Sequence, residues 1–80
     1  MKQKVFENIK KIRELKNLTR KYVAAELGMS NSGFGKIERG EVDLNVSKLI
    51  QIANVLDVSV DFIFRFDVDL FIKDNKKSFS

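Results

Sequence analysis

The stretch that decides the fold is residues 19–40, which read TRKYVAAELGMSNSGFGKIERG. Thr19 and Ser30 each precede a short run with apolar residues at helical spacing, and both residue types are favoured helix N-caps. Gly28 lies between the two runs and Gly40 follows the second, where a glycine can end a helix. The stretch therefore predicts two short helices joined by a tight turn.

Each of these two helices has one apolar face. The residues that form these faces are Val23, Ala24 and Leu27 in the first helix, and Phe34 and Ile37 in the second. Two abutting helices with a glycine in the turn form a helix-turn-helix, whose second helix can lie in the DNA major groove. The stretch therefore predicts DNA binding.

Three further helices are predicted around this pair. The first covers residues 3–16 and ends at Asn17, a residue type that tolerates the left-handed backbone conformation. Asn45 caps a helix over 46–56, and a last short helix covers 59–64, capped by its own Ser59. Five short helices with short loops bury one shared core, which predicts an all-α domain.

The C-terminal part of the chain changes its pattern, because every even position from 60 to 72 is apolar. Such alternation is typical of a β-strand, which we expect over residues 66–72. A lone strand needs a partner, and the same strand of a second copy would supply one. The expected dimer interface consists of Phe66, Val68, Leu70 and Ile72. The alternative is a tail that folds back on its own core.

This pattern divides the chain into a helix-turn-helix domain over 1–64 and a dimerisation strand with a frayed tail over 65–80. Eighty residues without Cys or His exclude a disulfide framework, and they remove the commonest general base and the commonest metal ligand. We therefore expect no enzyme, no cofactor and no metal. The first residues lack the apolar region of a signal peptide and no apolar run has membrane-spanning length, so we expect a cytoplasmic protein.

The net charge of +4 is unevenly distributed. Residues 1–21 hold eight basic residues against two acidic ones, residues 22–45 hold two against four, and residues 46–80 hold five of each. A basic N-terminal helix is consistent with a flank that contacts DNA phosphates, and it is equally consistent with an ordinary solvated helix face.

Four separated motifs carry a resemblance to a known family. They are Leu18-Thr19, Leu27-Gly28-Met29-Ser30, Lys36-Ile37-Glu38-Arg39-Gly40 and Leu56-Asp57-Val58-Ser59-Val60-Asp61. In this order the chain resembles the phage-repressor and Cro type of helix-turn-helix protein, also called the XRE family, over residues 5–64. The resemblance implies a five-helix all-α domain whose members mostly bind operator DNA as dimers and regulate transcription.

The resemblance also implies roles for particular residues. Bases would be read from the third helix by Asn31, Ser32 and Lys36, because Asn pairs with adenine and Lys with guanine. Phosphates would be held by Thr19, Arg20, Lys21 and Arg39. Arg13 and Glu38 would form a structural ion pair between the first and third helices, and the alternative for Arg13 is phosphate binding.

The chain departs from the family pattern at three places. Gly33 and Gly35 weaken the third helix, which implies a helix that DNA orders or a backbone that approaches DNA closely. Glu41 and Asp43 would repel a phosphate that they faced. Phe34, where the family usually has Ile, is expected in the core rather than as a wedge between bases.

Two functions follow from these observations. The first is a sequence-specific regulator, in the first place a repressor, that binds an inverted-repeat operator as a homodimer through its third helix. The second is a protein-interaction module, such as an antitoxin or adaptor, that retains the fold and binds a partner such as a toxin.

Overall fold

The computed structural model of the protein describes residues 2–67, and these form five α-helices. In chain order they are α1 (Lys2–Leu15), α2 (Arg20–Glu26), α3 (Asn31–Glu38), α4 (Val46–Leu56) and α5 (Val60–Arg65). Helix α1 packs against α3 and α5, while α2 packs against α3 and α4. The predicted five-helix, all-α architecture is therefore confirmed for the described residues.

The four predicted N-caps are all present. Thr19 Oγ1 accepts a hydrogen bond from the Tyr22 N–H at 3.0 Å, and Ser30 Oγ accepts one from the Gly33 N–H at 2.9 Å. The side chains of Asn45 and Ser59 do the same for α4 and α5. Each cap satisfies a backbone donor that has no partner within the first turn of its helix, and so fixes where the helix begins.

The turns between helices use left-handed backbone conformations. Gly28 has φ +69° and Gly40 has φ +70°, so both glycines adopt a conformation that other residues rarely take. Asn17 and Asp57 also lie in this region, at φ 59° and 57°. The turn expected at Asn17 is therefore confirmed.

One apolar core joins the five helices. It consists of Phe6, Ile9, Ile12, Val23, Ala24, Phe34, Ile37, Leu49, Ile52, Ala53, Leu56, Ile63 and Phe66. Phe34 is fully buried, so the expectation that it belongs to the core is confirmed. Leu15, the last residue of α1, shares the helical spacing of the buried residues in that helix but is 46% exposed.

The predicted strand over 66–72 lies mostly outside the described residues, and so do Val68, Leu70 and Ile72. Phe66 is described, and the expectation that it presents a strand face to a second copy is wrong. Its side chain is only 6% exposed, and its ring centroid lies 5.6 Å from that of Phe62, one helical turn earlier. Phe66 directly follows α5 and belongs to the apolar core of its own chain.

Within residues 2–67, none of the five helices combines the length and the apolar character needed to cross a membrane.

Candidate nucleic-acid interface

The candidate base-reading residues lie together on the outer surface of α3. Asn31, Ser32 and Lys36 are exposed, whereas Phe34 and Ile37 on the opposite face are buried. No side chain of the exposed trio makes a hydrogen bond within the described part of the chain. Amide, hydroxyl and ammonium groups of this kind can bond to base edges in the major groove.

The orientation of α3 is fixed by its buried face and by the preceding turn. Gly28 reverses the chain after α2, and the Met29 N–H donates to the Ala24 carbonyl at 2.9 Å. Phe34 and Ile37 then anchor α3 in the core. Because side chains one turn apart share a face, this anchoring turns Asn31 and Gly35 away from the core.

A buried ion pair connects α1 to α3. Arg13 Nε donates to Glu38 Oε2 at 2.7 Å, Arg13 Nη2 donates to Glu38 Oε1 at 3.3 Å, and Arg13 Nη1 donates to the Leu18 carbonyl at 2.8 Å. The side chains are only 9% and 1% exposed. The pair expected from the resemblance is thus present, and its burial places Arg13 inside the domain rather than on a phosphate-binding surface.

Glu38 also binds a second arginine that the sequence did not indicate. Arg20 Nε, at the first position of α2, donates to Glu38 Oε1 at 3.2 Å. One buried carboxylate therefore accepts hydrogen bonds from two arginines on two other helices. The arrangement ties α1, α2 and α3 together on the side of the molecule where α2 begins.

The candidate phosphate-binding residues differ in their surroundings. Thr19 and Lys21 are exposed, and Thr19 caps α2. Arg20 is partly buried through its pair with Glu38. Arg39 is exposed, and its Nε donates to Glu41 Oε2. The structure thus brings Thr19, Arg20 and Lys21 together at the start of α2, and Arg39 lies at the end of α3.

Glu41 forms an ion pair with Arg39 beside the predicted interface. The hydrogen bond from Arg39 is the main reason why the pKa of Glu41 is lowered from its ordinary value of 4.5, and the charges of Arg39 and Lys36 act in the same direction. The expected repulsion between Glu41 and a phosphate is therefore offset by the arginine that it binds.

Lysines of α1 lie beside this end of α3. An open cleft of about 500 Å³ is lined by the basic residues Lys10, Lys11 and Arg39, and equally by the acidic residues Glu7, Glu14 and Glu38. The α1 residues on this cleft are therefore balanced in charge, and they do not distinguish a phosphate-contacting flank from an ordinary solvated helix face.

Asn8 is a buried polar residue that the sequence pattern does not single out. It is 2% exposed, and its Nδ2 donates to the Ile63 carbonyl at 2.7 Å, which links α1 to the last turn of α5. The spacing offered a signal, because position 8 lies three residues after Val5 and four before Ile12, within the apolar stripe of α1.

Comparison with known proteins finds similarity to helix-turn-helix proteins. The helix-turn-helix family model matches residues 9–63. The chain is 37% identical over 59 residues to the uncharacterized HTH-type transcriptional regulator YqaE of Bacillus subtilis strain 168. These aligned residues cover 74% of this chain and 51% of that protein. It is 33% identical over 73 residues to a second protein of that strain, the SPbeta prophage-derived uncharacterized HTH-type transcriptional regulator YonR, with coverages of 85% and 68%. The chain thus spans about half the length of the first relative.

Proposed function

This chain belongs to the helix-turn-helix family, and we propose that it is a sequence-specific repressor that binds an inverted-repeat DNA operator as a homodimer. Both relatives are HTH-type transcriptional regulators. Membership of this family, rather than of an enzyme family, confirms the expectation that the chain is not an enzyme. DNA binding and the regulation of transcription follow from the family, whereas the operator symmetry, the dimer and repression are our proposal.

The observation that supports base reading is the exposed polar face of α3. Asn31 lies at the first position of α3, where a side chain can reach furthest into the groove, and Lys36 lies a little over one turn later. We propose that Asn31 and Lys36 each contact one base pair, and that Ser32 makes a less selective contact.

The surrounding charges support phosphate contacts beside α3. Thr19, Arg20 and Lys21 lie at the start of α2, and Arg39 lies at the end of α3. We propose that these residues bind backbone phosphates and supply most of the affinity, so that DNA binding weakens steeply as salt is added.

The experiment that tests this function is selection of bound sequences from random duplex DNA by the purified protein. We expect an enriched inverted repeat with half-sites about 34 Å apart, one helical turn. Asn31→Ala and Lys36→Ala should each relax base preference at one position, at a cost of about 1–3 kcal/mol. Asn54→Ala, on the exposed surface of α4, is the matched control and should leave selection unchanged.

Two results would contradict the proposal. The absence of any enriched sequence would favour a protein-interaction module, and unchanged preferences in both α3 variants would remove α3 from the base-reading role. An enriched sequence without inverted symmetry would leave a DNA-binding regulator but exclude the symmetric dimer. Transcription in vitro from a promoter that carries the selected sequence then distinguishes repression from activation.

A further inference from the structure

Two arginines from different helices converge on Gly35, in the middle of α3. A Cβ atom placed on Gly35 would lie 3.0 Å from Arg39 Nη1, 3.6 Å from Arg20 Cδ and 3.6 Å from Arg20 Nη1. Gly35 is buried although it lies on the outer face of α3, one turn after Asn31. It is buried because these two long side chains lie across it.

The two guanidinium groups are close enough to share one ligand. Both Nη1 distances are measured from the same point, so the two nitrogens are separated by no more than their sum, 6.6 Å. A phosphate with charge-assisted N–H···O bonds of about 2.8 Å and oxygens about 2.5 Å apart can span this separation.

Both arginines are held in a way that leaves their terminal nitrogens available. Arg20 uses its Nε on Glu38, and Arg39 uses its Nε on Glu41. The terminal nitrogens of neither arginine donate a hydrogen bond to any residue in 2–67. Each carboxylate therefore orients one guanidinium while the other edge of that guanidinium stays free.

The local charge also favours an anion. Arg13, Arg20 and Arg39 share only the carboxylates Glu38 and Glu41, and Arg13 is occupied by Glu38 and the Leu18 carbonyl. These three arginines and two glutamates therefore have a net positive charge, which lies on Arg20 and Arg39.

We propose that Arg20 and Arg39 form a clamp, in which both guanidinium groups bind one DNA backbone phosphate. Gly35 provides the seat of this clamp, which is the side-chain-free surface over which the two arginines lie. This inference rests on the proposed function, because it assigns the ligand of two residues at the same interface. It differs from two independent phosphate contacts, since both arginines would neutralise the same phosphate. It also gives Gly35 a role that depends on the absence of a side chain.

The salt dependence of binding tests the clamp. The probe is a fluorescently labelled duplex of about 30 base pairs with a random sequence, together with the selected operator where one is found. The slope of log affinity against log salt changes by about 0.9 for each phosphate contact. We expect Arg20→Gln and Arg39→Gln each to weaken binding about tenfold. We expect the double variant to lower the slope by about 0.9 in total.

Several outcomes would overturn the clamp. A slope lowered by about 1.8 in the double variant means two separate phosphates, and an unchanged slope means that neither arginine binds one. A changed base preference at one operator position means a base contact. Arg65→Gln is the matched control, because Arg65 is an exposed arginine that pairs with Asp61 on α5. The absence of wild-type binding to any duplex at low salt would overturn both the clamp and the proposed function.

Gly35→Ala tests the seat without removing a charge. The new methyl group displaces Arg39 Nη1, and the domain still folds because that nitrogen ends an exposed, flexible side chain. We expect affinity for the duplex to fall about threefold to tenfold, with an unchanged or higher melting temperature, because alanine favours a helix over glycine. Gly33→Ala, in the same helix but beside Ser30 and Met29, is the control. Equal DNA affinities of the two variants would overturn the seat.

Discussion

The glutamates at 38 and 41 both bind arginine, but they lie in opposite environments. The Arg13 and Glu38 side chains are 9% and 1% exposed, whereas those of Arg39 and Glu41 are 52% and 49% exposed. The first carboxylate accepts bonds from two arginines and links three helices, while the second binds its neighbour across the turn at Gly40. The same chemical pair thus stabilises the fold in one place and orients a surface cation in the other.

The difference follows from the cost of burying charge. An unpaired buried charge is strongly unfavourable, so the side chains around Glu38 depend on one another. An exposed pair is solvated whether or not it forms, and it contributes little to the free energy of unfolding. Arg39 can therefore bind a DNA phosphate as well as Glu41, whereas Arg13 stays bound to Glu38.

The largest expected effect is the loss of Glu38. Glu38→Ala leaves the Arg13 guanidinium buried without its carboxylate, and we expect the free energy of unfolding to fall by about 3–5 kcal/mol. Urea unfolding followed by circular dichroism measures this change. Glu38→Gln should cost less, because its amide oxygen still accepts a hydrogen bond from one arginine.

Glu41→Ala is the matched control for the buried carboxylate, since it removes the same side chain from an exposed pair. We expect its urea midpoint to stay close to that of the parent protein. Similar losses in Glu38→Ala and Glu41→Ala would mean that burial does not separate the two pairs.

The second prediction tests whether the loss in free energy of unfolding comes from burial or from charge. Asn8 is buried and neutral, and its bond to the Ile63 carbonyl joins α1 to α5. Asn8→Leu keeps a similar volume but leaves that carbonyl without its donor, and we expect a loss of about 1–3 kcal/mol in urea unfolding. Asn54→Leu on the exposed surface of α4 is the control. A loss as large as that of Glu38→Ala would show that burial alone, without charge, accounts for the cost.

Local features of the fold could be predicted from the sequence, because they depend on neighbouring residues. A cap such as Ser30 bonds to an N–H three residues away, and a residue such as Asn17 ends a helix by its own backbone conformation. The first half of the alternating C-terminal pattern forms a helix, as its N-cap Ser59 predicts. The alternation does not predict the position of Phe66, because whether an apolar residue faces the core or a partner depends on tertiary packing.

The contacts of Arg20 with Glu38 and of Arg39 with Glu41 are harder to predict than the Arg13–Glu38 pair, which the resemblance implies. The link from Arg20 to Glu38 spans 18 positions and depends on how α2 docks on α3. Residues two apart point in different directions on a continuous helix. Arg39 and Glu41 nevertheless meet, because Gly40 turns the chain between them. The seat at Gly35 depends on both arginines, so the sequence predicts only a weakened helix or a close approach of the backbone to DNA there.

The smallest expected effect is the titration of Glu41, which tests the exposed side of the comparison. Because Arg39 bonds to the charged carboxylate, the pKa of Glu41 lies below 4.5 in the folded protein. A lowered pKa means that the pair contributes above pH 4.5 and that its contribution is lost as the pH falls through the folded-state pKa. Carboxyl chemical shifts of Glu41 in an NMR pH titration measure the midpoint, which should move back towards 4.5 in Arg39→Gln. A midpoint unaffected by this substitution would mean that Arg39 does not bind Glu41 in solution, and Glu41 would then not orient the Arg39 guanidinium for a phosphate.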